Sequence, residues 1–241
     1  METGSAAEHE GKQNANLSAG GLSGGDGCPF HGKQWQQRAN ADTIPCPALL
    51  SFYNNGWLEV DGAGNVKLDS LKTALTEAGI GEKVREVLLR MADGSDAIPN
   101  SFNLFELRES TLNHTGSTGV RDQRVAPAAL EEALLRFSEE GRMYAEHFAA
   151  AANFGAQRDP GLKGTIFQTI EFRALLEVFG RQDDNQERYL TVEDVKGLWL
   201  EGRFPDGWQP RPKDEIDKGD ILRGVAMMAV HRLLRRLQED S

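Results

Sequence analysis

The chain has 241 residues with 27 basic and 37 acidic side chains, and its formal net charge is −10. This length is ample for one folded domain with a sizeable core. The negative charge argues against non-specific binding to nucleic acid or to an anionic membrane, and the sequence has no apolar run of 18 residues that would predict a transmembrane helix.

The first 27 residues are rich in Gly, Ser, Ala, Asn and Glu, a composition typical of a disordered segment. We therefore predict a disordered leader over residues 1–27 and one domain over residues 28–241. The leader lacks the apolar region of a signal peptide. Two locations remain open: inside the cell, or outside it as the mature form of a secreted protein.

Cys46 stands between two prolines and is followed by an apolar run, Pro47 to Leu50. Proline is favoured in the first turn of a helix, so Pro47 predicts a helix that begins just after the cysteine. A helix N-terminus stabilises a thiolate. Such a sulfur is suited to be a nucleophile, a metal ligand or the axial ligand of a haem iron. The alternative is a buried structural cysteine.

The spacing of apolar residues predicts further helices along the chain. In chain order they run from Asp69, as N-cap, to the break at Gly79; from Val84 to Gly94; over residues 102–112; from Pro127 to Asn153; and over residues 166–180, 192–201 and 216–237. No series of strands is indicated. We therefore predict an all-α fold, a single irregular multi-helix domain.

Glu171 lies within the apolar stripe of the helix predicted over residues 166–180. Phe167, Ala174 and Leu175 are four residues before it and three and four residues after it, on the same helix face. A carboxylate in such a place is paired or has a raised pKa, which makes it a candidate for proton transfer. The alternative is a glutamate at the helix edge that reaches solvent.

Three other polar residues, His114, Arg173 and Glu177, lie in the loop over residues 113–119 or on the helix that carries Glu171. His114 lies in a polar, glycine-rich loop over residues 113–119, a candidate site, although a lone loop histidine is more often a surface residue. Arg173 and Glu177 are interpreted as ordinary solvated positions on the helix that carries Glu171.

The segment from Asp183 to Asp194 is similar to a calcium-binding EF-hand loop. Asp183, Asn185 and Glu187 take positions 1, 3 and 5 of such a loop. Position 6 is an arginine instead of the usual glycine, and position 12 is Asp194 instead of glutamate. A calcium-binding module is therefore kept as an alternative function.

Four stretches together resemble the haem-thiolate peroxidases, the family of chloroperoxidase and the unspecific peroxygenases, and most closely its short type. In chain order, they are residues 45–49 with the Asn55-Gly56 turn, residues 103–107 with residues 113–121, residues 171–180, and residues 192–208. The resemblance covers residues 43 to about 212. It implies that the helical domain encloses a haem b.

The resemblance also implies a role for each matching residue. Cys46 would bind the haem iron, and Glu171 would be the acid–base catalyst that acts on hydrogen peroxide, with His114 as its partner. A small apolar or aromatic substrate would be oxidised or oxygenated. Leu112, Phe167 and Ala174 would line the channel that this substrate uses.

The chain departs from the family at the second stretch. There the family has a glutamate and a serine that bind magnesium beside a haem propionate, whereas this chain has Asn113 and Ser117. An uncharged amide binds a hard cation less well than a carboxylate. At most weak magnesium binding is therefore expected. A further alternative is a haem-free member of the fold that acts in binding or biosynthesis.

Overall fold

The computed structural model describes residues 30, 32–93, 100–107, 127–151, 171–217 and 219. The chain divides into two units, Met1–His31 and Gly32–Ser241. Only Phe30 of the first unit is described, so the leader over residues 1–27 stays a prediction. The helix expected over residues 216–237 lies almost entirely outside the described residues.

The helices of the second unit follow much of the predicted order. The described ones are α1 (Pro47–Asn54), α2 (Leu68–Glu77), α3 (Glu82–Asp93), α4 (Pro127–Phe137), α5 (Ala145–Ala151), α6 (residues 171–179) and α7 (Val192–Lys196), with a 3₁₀ turn at Ala41–Thr43 and a π turn at Gly197–Glu201. Within the described ranges, no helix is both long enough and apolar enough to cross a membrane.

The prediction of an all-α fold is wrong, because the described residues also form two small antiparallel sheets. Their strands are β1 (Asn65–Lys67), β2 (Ser101–Asn103), β3 (Arg142–Met143), β4 (Arg181–Gln182) and β5 (Arg188–Thr191). One sheet pairs β1 with β2, and the other has the order β3-β5-β4. Strands of two to four residues show too little alternation to be recognised from a period of two.

Two predicted helices are affected by these strands. The segment expected to be helical from residue 102 begins as β2, where Phe102 pairs with Val66 of β1. The long helix expected from Pro127 to Asn153 is divided into α4 and α5. Between them Glu140 and Gly141 both have positive φ, 50° and 76°, which no helix accommodates, and β3 follows.

Two turns of the same geometry precede β1 and β5. Asp61 Oδ1 accepts hydrogen bonds from the backbone N–H of Ala63 and Asn65 at 2.9 and 2.8 Å. Asp183 Oδ1 accepts them from Asn185 and Glu187 at 2.9 and 2.8 Å. Aspartate side chains commonly close turns in this way, and each turn here leads into a strand and then a helix.

The core is built around α1. Phe52 of α1 packs with Trp57, Phe179, Phe204 and Trp208 in one aromatic cluster, with neighbouring ring centroids 4.4–6.1 Å apart. Trp208 also donates a hydrogen bond from Nε1 to the carbonyl oxygen of Val178 at 2.7 Å. The cluster thereby joins α1, α6 and the segment after the π turn.

Two buried asparagines fasten the end of α1 to the end of the π turn. Asn54 Nδ2 donates to the carbonyl oxygen of Glu201 at 2.7 Å, and Asn55 Nδ2 donates to that of Gly202 at 3.1 Å. Gly202 has φ +61°, and a Cβ there would collide with the side chain of Leu50. The absence of a side chain at residue 202 lets the two segments approach this closely.

Glu177 is not solvated as expected, since only 3% of it is exposed. Its carboxylate pairs with Arg173 of α6, with Arg188 of β5 and with Arg211. The Oε2–Nε distance to Arg188 and the Oε2–Nη1 distance to Arg211 are both 2.9 Å. Two of the three partners come from segments outside α6, which is why the helix pattern alone suggested a solvated position.

The two aspartate-closed turns predict that Gln186→Gly stabilises the protein. Gln186 has φ +65° at the position that glycine occupies in the first turn, where Gly64 has φ +94°. A left-handed conformation costs an ordinary residue about 1–2 kcal/mol, and the larger backbone entropy of glycine in the unfolded chain offsets about 0.5–1 kcal/mol. A net gain of roughly 0.5–1 kcal/mol is expected from these two terms in chemical denaturation.

Gly64→Ala is the matched control and should act in the opposite direction. A Cβ at residue 64 would collide with the ring of Phe105, in addition to the strain of the positive φ. If both substitutions changed the free energy of unfolding in the same direction, the two turns would not be equivalent.

Candidate functional site

Cys46 is the N-cap of α1, as predicted, and Pro47 is the first residue of that helix. The φ and ψ angles of Cys46 are −85° and 120°, which are extended, and its carbonyl oxygen accepts the first helical hydrogen bond, from the N–H of Leu50 at 2.9 Å. The residue is half-buried. The sulfur is therefore held at the N-terminus of the helix around which the core is built.

The thiol of Cys46 resists ionisation in the free protein. Burial raises its pKa to about 11, and the negative charge of Glu171 contributes to this rise. The backbone N–H groups of Leu49 and Ala48 act in the opposite direction and favour a charged sulfur, but their effect is smaller. A positive charge brought to the sulfur would restore the thiolate, because a thiol that binds a metal ion loses its proton.

Glu171 is the second predicted residue that the structure brings to this place. It is the first described residue of α6, and it is half-buried. Its carboxylate acts on the Cys46 thiol through space, although 125 positions separate the two residues in the sequence. The structure thus places a carboxylate and a thiol from two helices in one electrostatic environment.

Phe172, which follows Glu171 in the sequence, belongs to a stack of three aromatic rings. Phe172 stacks on Phe148 of α5 with a centroid distance of 5.0 Å and on Trp199 of the π turn with a distance of 6.3 Å. All three side chains are buried. The π turn also packs against α1, so the stack connects the start of α6 with the helix that carries Cys46.

The other predicted site residues are only partly covered by the structure. Ala174 is half-buried on α6, three residues after Glu171 and on the same face of the helix. The remaining ones lie outside the described residues: His114, Asn113, Ser117, Leu112 and Phe167.

The segment similar to an EF-hand loop uses its carboxylates for other contacts. Asp183 Oδ1 closes the turn before β5, and its Oδ2 accepts a hydrogen bond from the Tyr144 hydroxyl at 3.3 Å. Asp194, at loop position 12, pairs with Arg181 at 2.9 Å and forms a capping box with Thr191 at the start of α7. Across the described part of the chain, no group of three or more His, Cys, Asp or Glu residues is arranged to hold a metal ion.

The sequence did not identify Phe172 and Trp199 as parts of the site. Phe172 directly follows Glu171, and its position on the buried face of α6, which it shares with Leu176 and Phe179, could have been inferred from helical spacing. Trp199 could not, because it was assigned to a regular helix over residues 192–201. The helix instead changes to a π turn at Gly197, and such turns are frequent at functional sites.

No protein-family model matches the chain, and the search of curated proteins finds no relative.

The electrostatic effect of Glu171 on Cys46 can be tested by titration of the purified protein. We expect Glu171→Gln to lower the pKa of the Cys46 thiol from about 11, because the substitution removes the negative charge that, together with burial, raises it. The pKa should stay above its ordinary value, since burial is the larger cause. The measurement is the pH dependence of alkylation in a Cys28→Ser background.

Glu193→Gln is the control for this titration, since Glu193 is an exposed glutamate on α7 that pairs with Lys196. It should leave the alkylation profile unchanged. A profile that is also unchanged by Glu171→Gln would mean that the carboxylate and the sulfur are far apart.

Proposed function

We propose that the chain is a haem-thiolate oxidoreductase that uses hydrogen peroxide to oxidise or oxygenate a small apolar or aromatic substrate. The observation that carries the proposal is the position of Cys46 as the N-cap of α1, close enough to Glu171 for that carboxylate to raise the pKa of the thiol. The two residues to which the resemblance gives the central roles share one environment. The proposal concerns the site, and it does not depend on the all-α fold that the structure contradicts.

The chemistry of the donors around Cys46 fits a haem iron. The sulfur is at a helix N-terminus, where the N–H groups of Leu49 and Ala48 favour its charged form. Without a bound cation, burial and Glu171 disfavour the thiolate, and a cationic partner would therefore stabilise it. A ferric iron supplies this charge, and Cys46 is the residue that would hold it.

Glu171 is suited to move a proton beside such a centre. When bound, the haem would supply an iron at which the O–O bond of peroxide is broken. A carboxylate can take the proton from one oxygen of peroxide and return it to the other, so that water leaves. The stack of Phe148, Phe172 and Trp199 would limit the movement of α6 and so keep this carboxylate in position.

The remaining roles follow from the resemblance and stay proposals. His114 would orient Glu171 and bias its charge. Leu112, Phe167 and Ala174 would line the path of the substrate. Magnesium, if bound at all, would be held weakly by Asn113 and Ser117, since neither side chain brings a negative charge.

The calcium-binding alternative has less support from the geometry. A calcium loop needs its position-12 carboxylate to turn toward the ion. Here, Asp194 already pairs with Arg181 and with Thr191. Burial raises the pKa of Asp194, but the hydrogen bonds from these two residues outweigh burial, so the pKa lies below its ordinary value.

The proposal predicts that Cys46→Ala abolishes thiolate ligation of haem. The parent protein, expressed with haem and reduced under carbon monoxide, should give the absorption maximum typical of a thiolate-ligated iron. Cys46→Ala should lose it, while Cys28→Ala, the matched control, should keep it. The opposite pattern would assign the iron to Cys28.

The proposal also predicts that Glu171→Gln slows the reaction with peroxide and spares haem binding. General acid–base catalysis contributes about 10²–10⁴-fold, so a loss within this range is expected. Stopped-flow mixing with hydrogen peroxide, followed at the Soret band, measures the rate. Glu193→Gln should react as fast as the parent, and a Glu171→Gln protein that does so too would end the catalytic assignment.

A further inference from the structure

A second group of charged side chains lies on α6, apart from the contact between Glu171 and Cys46. Arg173, Arg188 and Arg211 converge on the carboxylate of Glu177 from three separate segments: α6, β5 and the stretch that follows Trp208. Residues six positions apart on a helix are about 120° from each other around its axis, so Glu177 and Glu171 do not share a face. We call these four residues the arginine cluster.

Positive charge exceeds negative charge in the arginine cluster. Three guanidinium groups share one buried carboxylate. Glu215 accepts hydrogen bonds from Nε and Nη2 of Arg211 and adds a second negative charge, which leaves three positive charges against two. Burial lowers the pKa of Arg188, and the charge of Arg211 lowers it further, an effect expected where cations are incompletely neutralised.

Hydrogen-bond donors also exceed acceptors. The Nε of Arg173 is buried and has no partner among the described residues. Arg188 uses Nε for Glu177 and Nη1 for the carbonyl oxygen of Gly180 at 2.9 Å, which leaves its second terminal nitrogen outside these contacts. An unmade hydrogen bond of a buried charged group is costly, so an additional acceptor would be favourable here.

The cluster can be reached from solvent. The side chains of Arg173, Arg188 and Arg211 are 21%, 13% and 18% exposed, whereas that of Glu177 is only 4% exposed. A ligand can therefore contact the guanidinium groups while Glu177 remains buried beneath them. Water reaches the three guanidinium groups and, beside Arg211, the carboxylate of Glu215.

We propose that Arg173, Arg188 and Arg211 form a binding site for a small tetrahedral oxyanion of the phosphate type. Guanidinium groups bind phosphate oxygens through paired, charge-assisted hydrogen bonds. A tetrahedral oxyanion has more oxygen atoms than a carboxylate and can therefore offer a separate acceptor to each of the three guanidinium groups. Glu177 then acts as the fixed counter-charge that holds the three arginines together when no anion is bound.

The first test is a calorimetric titration of the full-length protein with inorganic phosphate at constant ionic strength. We expect saturable binding with one site. Arg173→Gln should weaken it about tenfold, the loss that corresponds to one charge-assisted hydrogen bond. Arg203→Gln is the matched control, because Arg203 is also ion-paired, with Glu201 and Asp206, but lies outside the cluster. It should leave the affinity unchanged.

The second test uses Glu177→Gln, which removes the counter-charge and keeps the shape of the side chain. In sodium chloride this protein should unfold at a lower temperature than the parent, since three arginines lose their shared partner. Sodium phosphate at the same ionic strength should raise its unfolding temperature more than it raises that of the parent. Sodium sulfate, another tetrahedral dianion, should do the same.

The comparison between variants separates the site from general salt effects, because phosphate and sulfate stabilise most proteins through exclusion from their surface. Equal stabilisation of the parent, Glu177→Gln and Arg173→Gln by phosphate would overturn the proposal. The absence of saturable binding in the titration would overturn it as well. Neither test requires haem, so a failure here is distinct from a failure of the proposed oxidoreductase activity.

Discussion

The attachment of α1 to the π turn is the constraint on which the rest of the structure depends. Asn54 and Asn55 place their amide groups on the backbone of Glu201 and Gly202, and Gly202 leaves no side chain in the way. Because these amides are buried, losing their acceptors would cost the full desolvation of polar groups, which makes the attachment specific as well as stable. Once it is made, α1 has a fixed direction, and the aromatic cluster can close over Phe52.

The same attachment relates the two ends of the candidate site. Cys46 stands at the start of α1, and the π turn carries Trp199, which stacks on the residue that follows Glu171. Thus one end of the turn is joined to α1 and its middle is joined to α6. The thiol is held at the N-cap of α1 and the carboxylate on α6, so both groups are placed by helices.

The sequence predicted what is encoded locally. Pro47 after Cys46 was sufficient to predict the start of α1, and Gly79 the end of α2, because both residues act through their own backbone. Features that depend on distant partners were missed. Glu177 has the pattern of an exposed helix position, and its burial follows from Arg188 and Arg211, which reach it from later segments. Strand β5 was missed for the same reason: its few residues are stabilised by pairing with β3 and β4.

The high pKa of the Cys46 thiol has a consequence for how the sulfur reacts with oxidants. With its pKa raised to about 11, the thiol is almost entirely protonated at pH 7. Oxidation to sulfenic and higher acids proceeds through the thiolate, so a newly made chain is protected from the oxidant that we propose as its co-substrate. The burial that raises the pKa of the Cys46 thiol thereby also protects the sulfur from oxidation.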